Sequence, residues 1–221
     1  MNYHLLIINF HGVGEPNRPL LEGESNVWLA TEVFFSLLAE AVAFADIEIT
    51  FDDGNSSDCE VVLPNLLQRG IKAQFFVSVG HIGQSGYVSK EQLREIADAG
   101  MGLGNHGMFH RDWRLVDNPT LLQEIVDARD RLESLIARKV SRAACPFGSY
   151  DRRVLGALQQ AGYERVYTSD GGWAKADNWI WPRNSVCRSD GSAVVDRLRR
   201  EKPIGLAASM RWLKRTVKRL R

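Results

Sequence analysis

The sequence predicts a β/α protein built on a mainly parallel sheet. Seven short stretches have the apolar, β-branched or aromatic character of strands, and helical periodicity fills most of the gaps between them. Polar, glycine-bearing clusters repeatedly follow the strands, where open α/β sheets and barrels place their functional loops. No run of alternating residues suggests a meander, so the connections are crossovers through helices.

Tyr3 to Phe10 is the first strand and ends in His11-Gly12-Val13-Gly14. After a polar loop with Pro16 and Pro19, Thr31 is placed to cap a helix over Glu32 to Ala43, whose Val33, Phe34, Leu37, Leu38 and Ala41 share one face. Ile47 to Phe51 is the second strand, and Ser57 or Asp58 opens a helix that Gly70 stops. Ala73 to Val79 is almost wholly apolar, as burial on both faces requires. Ser89-Lys90-Glu91-Gln92 has a capping-box pattern, and the helix it opens ends at Gly100. A short strand from Met101 leads into Asn105-His106-Gly107-Met108-Phe109-His110, and Thr120 to Arg138 reads as a long amphipathic helix. The strand Arg142 to Cys145 precedes Pro146-Phe147-Gly148, and a helix follows from Asp151 to Gln160. Glu164 to Thr168 ends in Ser169-Asp170-Gly171-Gly172-Trp173, and Ile180 to Val186 is a last, irregular strand.

With 221 residues, 44% hydrophobic and 25% charged, the chain can bury a substantial core as one unit over 1–221. The net charge of +1 gives no reason to expect a nucleic-acid partner. That average conceals an asymmetry: Arg197 to Arg221 carries ten Lys or Arg against Glu201, a balance of +9, which leaves −8 on residues 1–196. Cys59, Cys145 and Cys187 have no metal-like spacing and are too few for a disulfide framework, which fits a reducing compartment. The N-terminal apolar run lacks a basic flank and a cleavage site, so a cytoplasmic location is expected.

The chemistry is organised around Thr50-Phe51-Asp52-Asp53-Gly54. Two adjacent carboxylates stand where a strand ends and a glycine turns the backbone. An Asx turn is one use of such a pair. A shared cavity is the other, and it needs a cation, a shared proton or an arginine. His106 and His110 lie four apart, which on a helical turn directs both imidazoles to one side. No Glu adjoins His106, so the zinc-metalloprotease pattern does not apply. Two histidines and one carboxylate from different strand ends form a set that leaves positions open on Zn²⁺ or a similar divalent ion.

Thr50-Phe51-Asp52-Asp53-Gly54, the spaced His106 and His110, and Pro146-Phe147-Gly148, in that order, resemble the first three motifs of the NodB-type polysaccharide deacetylases. The resemblance covers roughly residues 3 to 190 and is nearest the divergent, exopolysaccharide-associated members. It implies a distorted (β/α) barrel of about seven mainly parallel strands, and removal of acetyl groups from N-acetylated amino sugars of a polysaccharide or its precursor. It makes Asp53, His106 and His110 ligands of one divalent ion, with Zn²⁺ the default and Co, Ni or Mn as alternatives. Asp52 becomes the general base beside a metal-bound water, and the Phe147 backbone N–H the oxyanion donor.

Three departures qualify the pattern. The usual arginine two residues before Pro146 is Ala144; its work is to pair with the base or with a carboxylate corresponding to Asp170, and Arg183 is the expected substitute, ahead of Arg142. Gly107 and Arg111 stand where Ser or Thr and Pro are common. No histidine follows His110, so the late general acid is missing, and His11 at the end of the first strand is the expected replacement. Two alternatives are a hydrolase of another small amide and a glycan-binding domain without turnover.

Trp173, Trp179 and Trp181 lie in and after the Asp170 loop and suggest a platform for sugar rings, with at least one of them in the core. Tyr150 and Trp113 follow site motifs and are expected in the same cleft. At about 205–221, Leu206, Met210, Leu213, Val217 and Leu220 recur on one helical face among basic residues. This basic amphipathic helix is expected to close the barrel, with weak peripheral contact with an anionic membrane as a second role.

Overall fold

The computed structural model describes residues 3–191, 193–201 and 216–218. The helix expected at 205–221 lies outside the described residues apart from the helical stretch 216–218.

Strand β1 (His4–Phe10) shows why the sheet curls into a barrel. Leu5 and Ile7 pack with the interior cluster of Phe76, Ala144, Tyr167, Ala174 and Trp181, while Ile8 and Phe10 face the outer core. β2 (Ile47–Asp53), β3 (Gln74–Val77), β4 (Gly102–Asn105), β5 (Arg142–Ala144) and β6 (Arg165–Thr168) follow as a parallel succession from β1. On the outer face Phe10, Phe51 and Phe75 stack across β1, β2 and β3 with ring centroids 5.6 and 4.8 Å apart. Phe34 of α1 (Thr31–Ala41) meets Phe10 edge-on at 5.3 Å. Each such pair adds roughly 0.5–1.5 kcal/mol to simple burial.

The barrel closes through its last strand. β8 (Ile180–Pro182) pairs with β6, and β9 (Asn184–Ser185) pairs with β1. The one residue between them, Arg183, therefore sits at the seam. β7 (Trp173–Lys175) runs antiparallel against β1, the one departure from parallel pairing among the described strands. The distorted, mainly parallel barrel is thus present, with two more strand segments than the sequence suggests. The sequence hides them because β7 is three residues long and the final strand changes partners midway.

Helices α2 (Leu63–Gln68), α3 (Lys90–Asp98), α4 (Asn118–Leu122), α5 (Ala128–Ile136), α6 (Arg152–Gln160) and α7 (Val194–Arg200) complete the outer layer. α3 has the expected capping box, Ser89 and Gln92 each accepting from the other's backbone. α4 begins earlier than expected, because Asp117 caps it by accepting from the Thr120 N–H at 2.9 Å. A wide π turn over Gln123–Asp127 joins α4 to α5. Among the described residues no helix is long and apolar enough to cross a membrane.

Candidate metal centre

Asp52 and Asp53 end β2 and reach the same cavity by different means. Asp52 continues the alternation of Glu48 and Thr50 into the barrel. Asp53 would point the other way, but its φ of +79° turns it back. Gly54 completes the turn at φ +74°, where an added Cβ would lie 2.7 Å from Val77 Cγ1.

The two histidines converge without the helical turn that their spacing suggested. Residues 106–110 form a loop in which Gly107 (φ +88°) and His110 (φ +52°) adopt left-handed conformations. Glu124, fully buried in the π turn, holds this loop by accepting the Met108 N–H at 2.8 Å and the Phe109 N–H at 3.2 Å. A Cβ at position 107 would lie 2.4 Å from the Glu124 carboxylate, so glycine at 107 and glutamate at 124 belong together. Sequence reading missed Glu124 because nothing local separates a buried helical glutamate from a solvated one.

One Asp53 oxygen, one His106 nitrogen and one His110 nitrogen lie within 4.8 Å of one another. Asp53 Oδ1 is 3.6 Å from His106 Nε2 and 3.5 Å from His110 Nε2. It is also buried without a hydrogen-bond partner. His106 Nδ1 lies 2.9 Å from the Ala144 carbonyl, to which its N–H donates, so the Nε2 lone pair faces the acid. Burial pushes the His106 imidazole down to about 4, which keeps that lone pair free at neutral pH. An orphaned carboxylate oxygen facing two imidazole nitrogens fits one divalent cation.

Asp52 is bound differently. Arg183 Nη1 donates to its Oδ1 at 2.6 Å and Nη2 to its Oδ2 at 2.7 Å, a bidentate pair buried on both sides. Asn9 adds a bond to Oδ2 at 3.0 Å and accepts from Arg183 in turn. Burial alone would raise the Asp52 carboxyl, but Arg183 and then His106 outweigh it and hold it well below the usual range. Arg142, the other candidate for this pairing, lies at the opposite end of the barrel against Gln74 and Glu48. The guanidinium of Arg183 stacks on Phe76 at 5.2 Å and on Tyr167 at 5.9 Å. Ala144 belongs to that same interior cluster, so the small side chain leaves space for an arginine arriving from the seam.

His11 also reaches the site, its Nε2 3.9 Å from Asp52 Oδ2 and its Nδ1 buried without a partner. Phe147 occupies a tight turn at φ +58°; the residue is 65% exposed and its ring lies 4.5 Å from that of His110. Asp170 is not joined to Asp52 or Arg183. Its Oδ2 accepts the Tyr150 hydroxyl at 2.7 Å and the Thr168 hydroxyl at 3.0 Å, and its Oδ1 accepts Lys218 Nζ at 2.6 Å.

The expected aromatic platform is corrected in part, at Trp113, Tyr150 and Trp181. Trp113 is wholly buried among Leu121, Ile125 and Cys145, and Tyr150, buried in that cluster, donates its hydroxyl to Asp170. Trp181 fills the barrel interior against Tyr167 at 5.6 Å. Trp179 precedes β8 at the far end of the barrel, donating to the Tyr163 carbonyl at 2.8 Å. Trp173 pairs with Leu6 and donates to the Glu201 carbonyl at 2.6 Å. Burial in the core removes Trp113 and Trp181 from a sugar platform, whereas Trp173 and Trp179 are half-buried. The exposed aromatics beside the cluster are Phe147 and Phe109, 65% and 41% exposed.

Asp58 was offered by the sequence only as a residue that could open a helix. It is buried, and desolvation together with the nearby Asp53 and Asp52 charges pushes its carboxyl well above the usual range.

Residues 41–166 match the family model of polysaccharide deacetylase. The chain is 26% identical over 143 residues to YxkH of Bacillus subtilis (strain 168), covering 65% of this chain and 51% of that protein. It is 27% identical over 125 residues to the chitooligosaccharide deacetylase of Rhizobium leguminosarum bv. trifolii, covering 56% of each. The chain thus spans about half the length of the curated relatives it matches. The structure of Streptococcus pyogenes deacetylase PplD in complex with acetate superposes with a TM-score of 0.75 at 19% identity, covering 90% of this chain and 99% of that one. With the family model spanning more than half of the sequence and the Asp–His–His cluster assembled at the strand ends, the chain belongs to the polysaccharide deacetylase family.

Proposed function

We propose that the protein removes acetyl groups from N-acetylated amino sugars of a polysaccharide or its precursor. The observation that carries this is the pairing of a cation-ready Asp53–His106–His110 cluster with a separate, arginine-held carboxylate, Asp52. A divalent ion bound there would lower the pKa of a water and polarise an acetyl carbonyl. Zn²⁺ is the ion we assign, since two imidazoles and one carboxylate suit a borderline cation.

Asp52 is the base in this scheme. Arg183 keeps it ionised, ready to orient a water and accept its proton, and weakly basic enough to release that proton afterwards. His11, which approaches Asp52 from just beyond β1, is the residue we assign to protonate the departing amine. The backbone N–H of Phe147, whose ring lies 4.5 Å from that of His110, is the group we assign as oxyanion donor. Three cysteines without disulfides fit a cytoplasmic setting.

The test is acetate release from small chitooligosaccharides by metal-reconstituted protein. Asp52→Asn should abolish it, and His11→Ala should lower kcat on an unactivated amide by about 10²–10⁴ while costing less on an ester with a good leaving group. Equal losses on both substrates would remove His11 from the proton transfer. No acetate from the reconstituted parent protein would refute the deacetylase assignment.

A further inference from the structure

Asp170 is a nearly buried carboxylate, 5% exposed in its side chain, that the Asp52–Arg183 pair leaves to find its own cation. It finds Lys218, from the far C-terminal segment, at 2.6 Å. The ammonium also lies 5.1 Å from the centre of the Tyr150 ring. Two hydroxyls, from Tyr150 and Thr168, fix Oδ2 and leave Oδ1 to the ammonium. A carboxylate oriented by neutral donors, beside an aromatic ring, is a recognition site for a primary ammonium.

Its place in the barrel matters. Asp170 follows β6, and the Pro146–Gly148 turn follows the adjacent β5, so close to Ser169 that a Cβ on Gly148 would lie 2.5 Å from the Ser169 Cβ. β5 in turn supplies the carbonyl that orients His106. The ammonium therefore sits on the same rim as the metal cluster, one strand end beyond that carbonyl.

We propose that Asp170, Tyr150 and Thr168 form an ammonium subsite, filled here by Lys218, whose external ligand is the free amine of a 2-amino sugar. This rests on the amino-sugar assignment above. N-deacetylation converts a neutral amide into an ammonium, so a partly processed glycan carries the group that Lys218 imitates. The C-terminal segment then competes with processed glycan for the rim, and the tether keeps Lys218 at high effective concentration.

Binding, measured apart from turnover, tests this on the metal-loaded full chain by NMR titration with glucosamine and with glucose. If the subsite is free about a tenth of the time, Lys218→Ala should bind glucosamine about tenfold more tightly than the parent. Glucose affinity should not change, and adding Asp170→Asn to Lys218→Ala should erase the gain. Lys139→Ala, which removes an exposed lysine paired with Glu164, should behave as the parent. Equal glucosamine affinity in parent and Lys218→Ala would overturn the proposal. So would an equal gain for glucose, or a gain that survives Asp170→Asn. Acetate release reports separately on the deacetylase assignment: turnover without an amine-specific gain removes the subsite alone, and an amine-specific gain without turnover keeps the subsite and removes the assigned reaction.

Discussion

Glu48 and Asp52 lie four residues apart on β2, both directed into the barrel and both near an arginine, yet their charges are controlled in opposite ways. At the C-terminal end, Arg183 grips Asp52 through two short bonds with water excluded, and the carboxyl is held low. At the N-terminal end, Arg142 stands 4.0 Å from Glu48 and is itself 45% exposed. There burial dominates and the Glu48 carboxyl is raised, despite a 2.8 Å bond from the Tyr167 hydroxyl. The Glu48 end opens on a cavity of about 490 Å³ lined by Lys72, Gln74, Arg138 and Arg142, far from the Asp–His cluster. Proximity of an arginine is thus insufficient; direct, dry, bidentate contact decides whether a buried acid stays charged.

The comparison can be broken most severely at the metal. His106→Ala should reduce bound divalent ion well below one per chain and abolish activity, whereas Arg142→Met should retain a full complement. Elemental analysis of the purified variants measures both, and full metal content in His106→Ala would exclude it as a ligand.

Next come the two arginines themselves. Arg183→Met strands a buried carboxylate and should cost about 3–5 kcal/mol in chemical unfolding. Arg142→Met removes a partly exposed partner and should cost less than about 1 kcal/mol. Similar losses would mean that contact geometry does not separate the two ends.

Asp58 sharpens the contrast, being a buried acid beside Asp53 with no arginine contact to lower it. Its folded-state pKa lies well above the ordinary value for an aspartate, so the native chain retains a proton that the unfolded chain releases as pH rises. That stabilising contribution is complete below the unfolded pKa and is lost as pH rises towards the folded one. Asp58→Asn cannot titrate, so its stability relative to the parent should increase from pH 4 to pH 7 in urea unfolding of the metal-free protein. A gap that does not change with pH would show that Asp58 ionises without penalty.

The smallest effect belongs to Glu48→Gln. The amide keeps the acceptor for Tyr167 and removes a disfavoured charge, so stability at pH 7 should change by no more than about 0.5 kcal/mol. A large loss would mean that the Glu48 charge is needed to hold Arg142 and Gln74 in place.

The barrel and the metal cluster were legible because their signals are local. Strand runs, the Ser89 capping box, the Asp52-Asp53-Gly54 turn and the two spaced histidines each sit within a few consecutive residues. The backbone that brings those histidines together was less legible: left-handed residues, held by a distant Glu124, replace the helical turn. Trp113 and Trp181 were misleading because core and glycan groove want the same indole, and composition near a loop cannot say which way a ring faces.

What the sequence determined by itself was the order of strands and helices and the residue types able to hold a cation, since periodicity and turn chemistry act over short separations. What only the tertiary structure decided was pairing across the barrel. Arg183 reaches Asp52 across 131 residues because the final strand changes partners at that point, and Lys218 reaches Asp170 across 48. An ion pair depends on distance and exclusion of water, and both are set only once the barrel has closed.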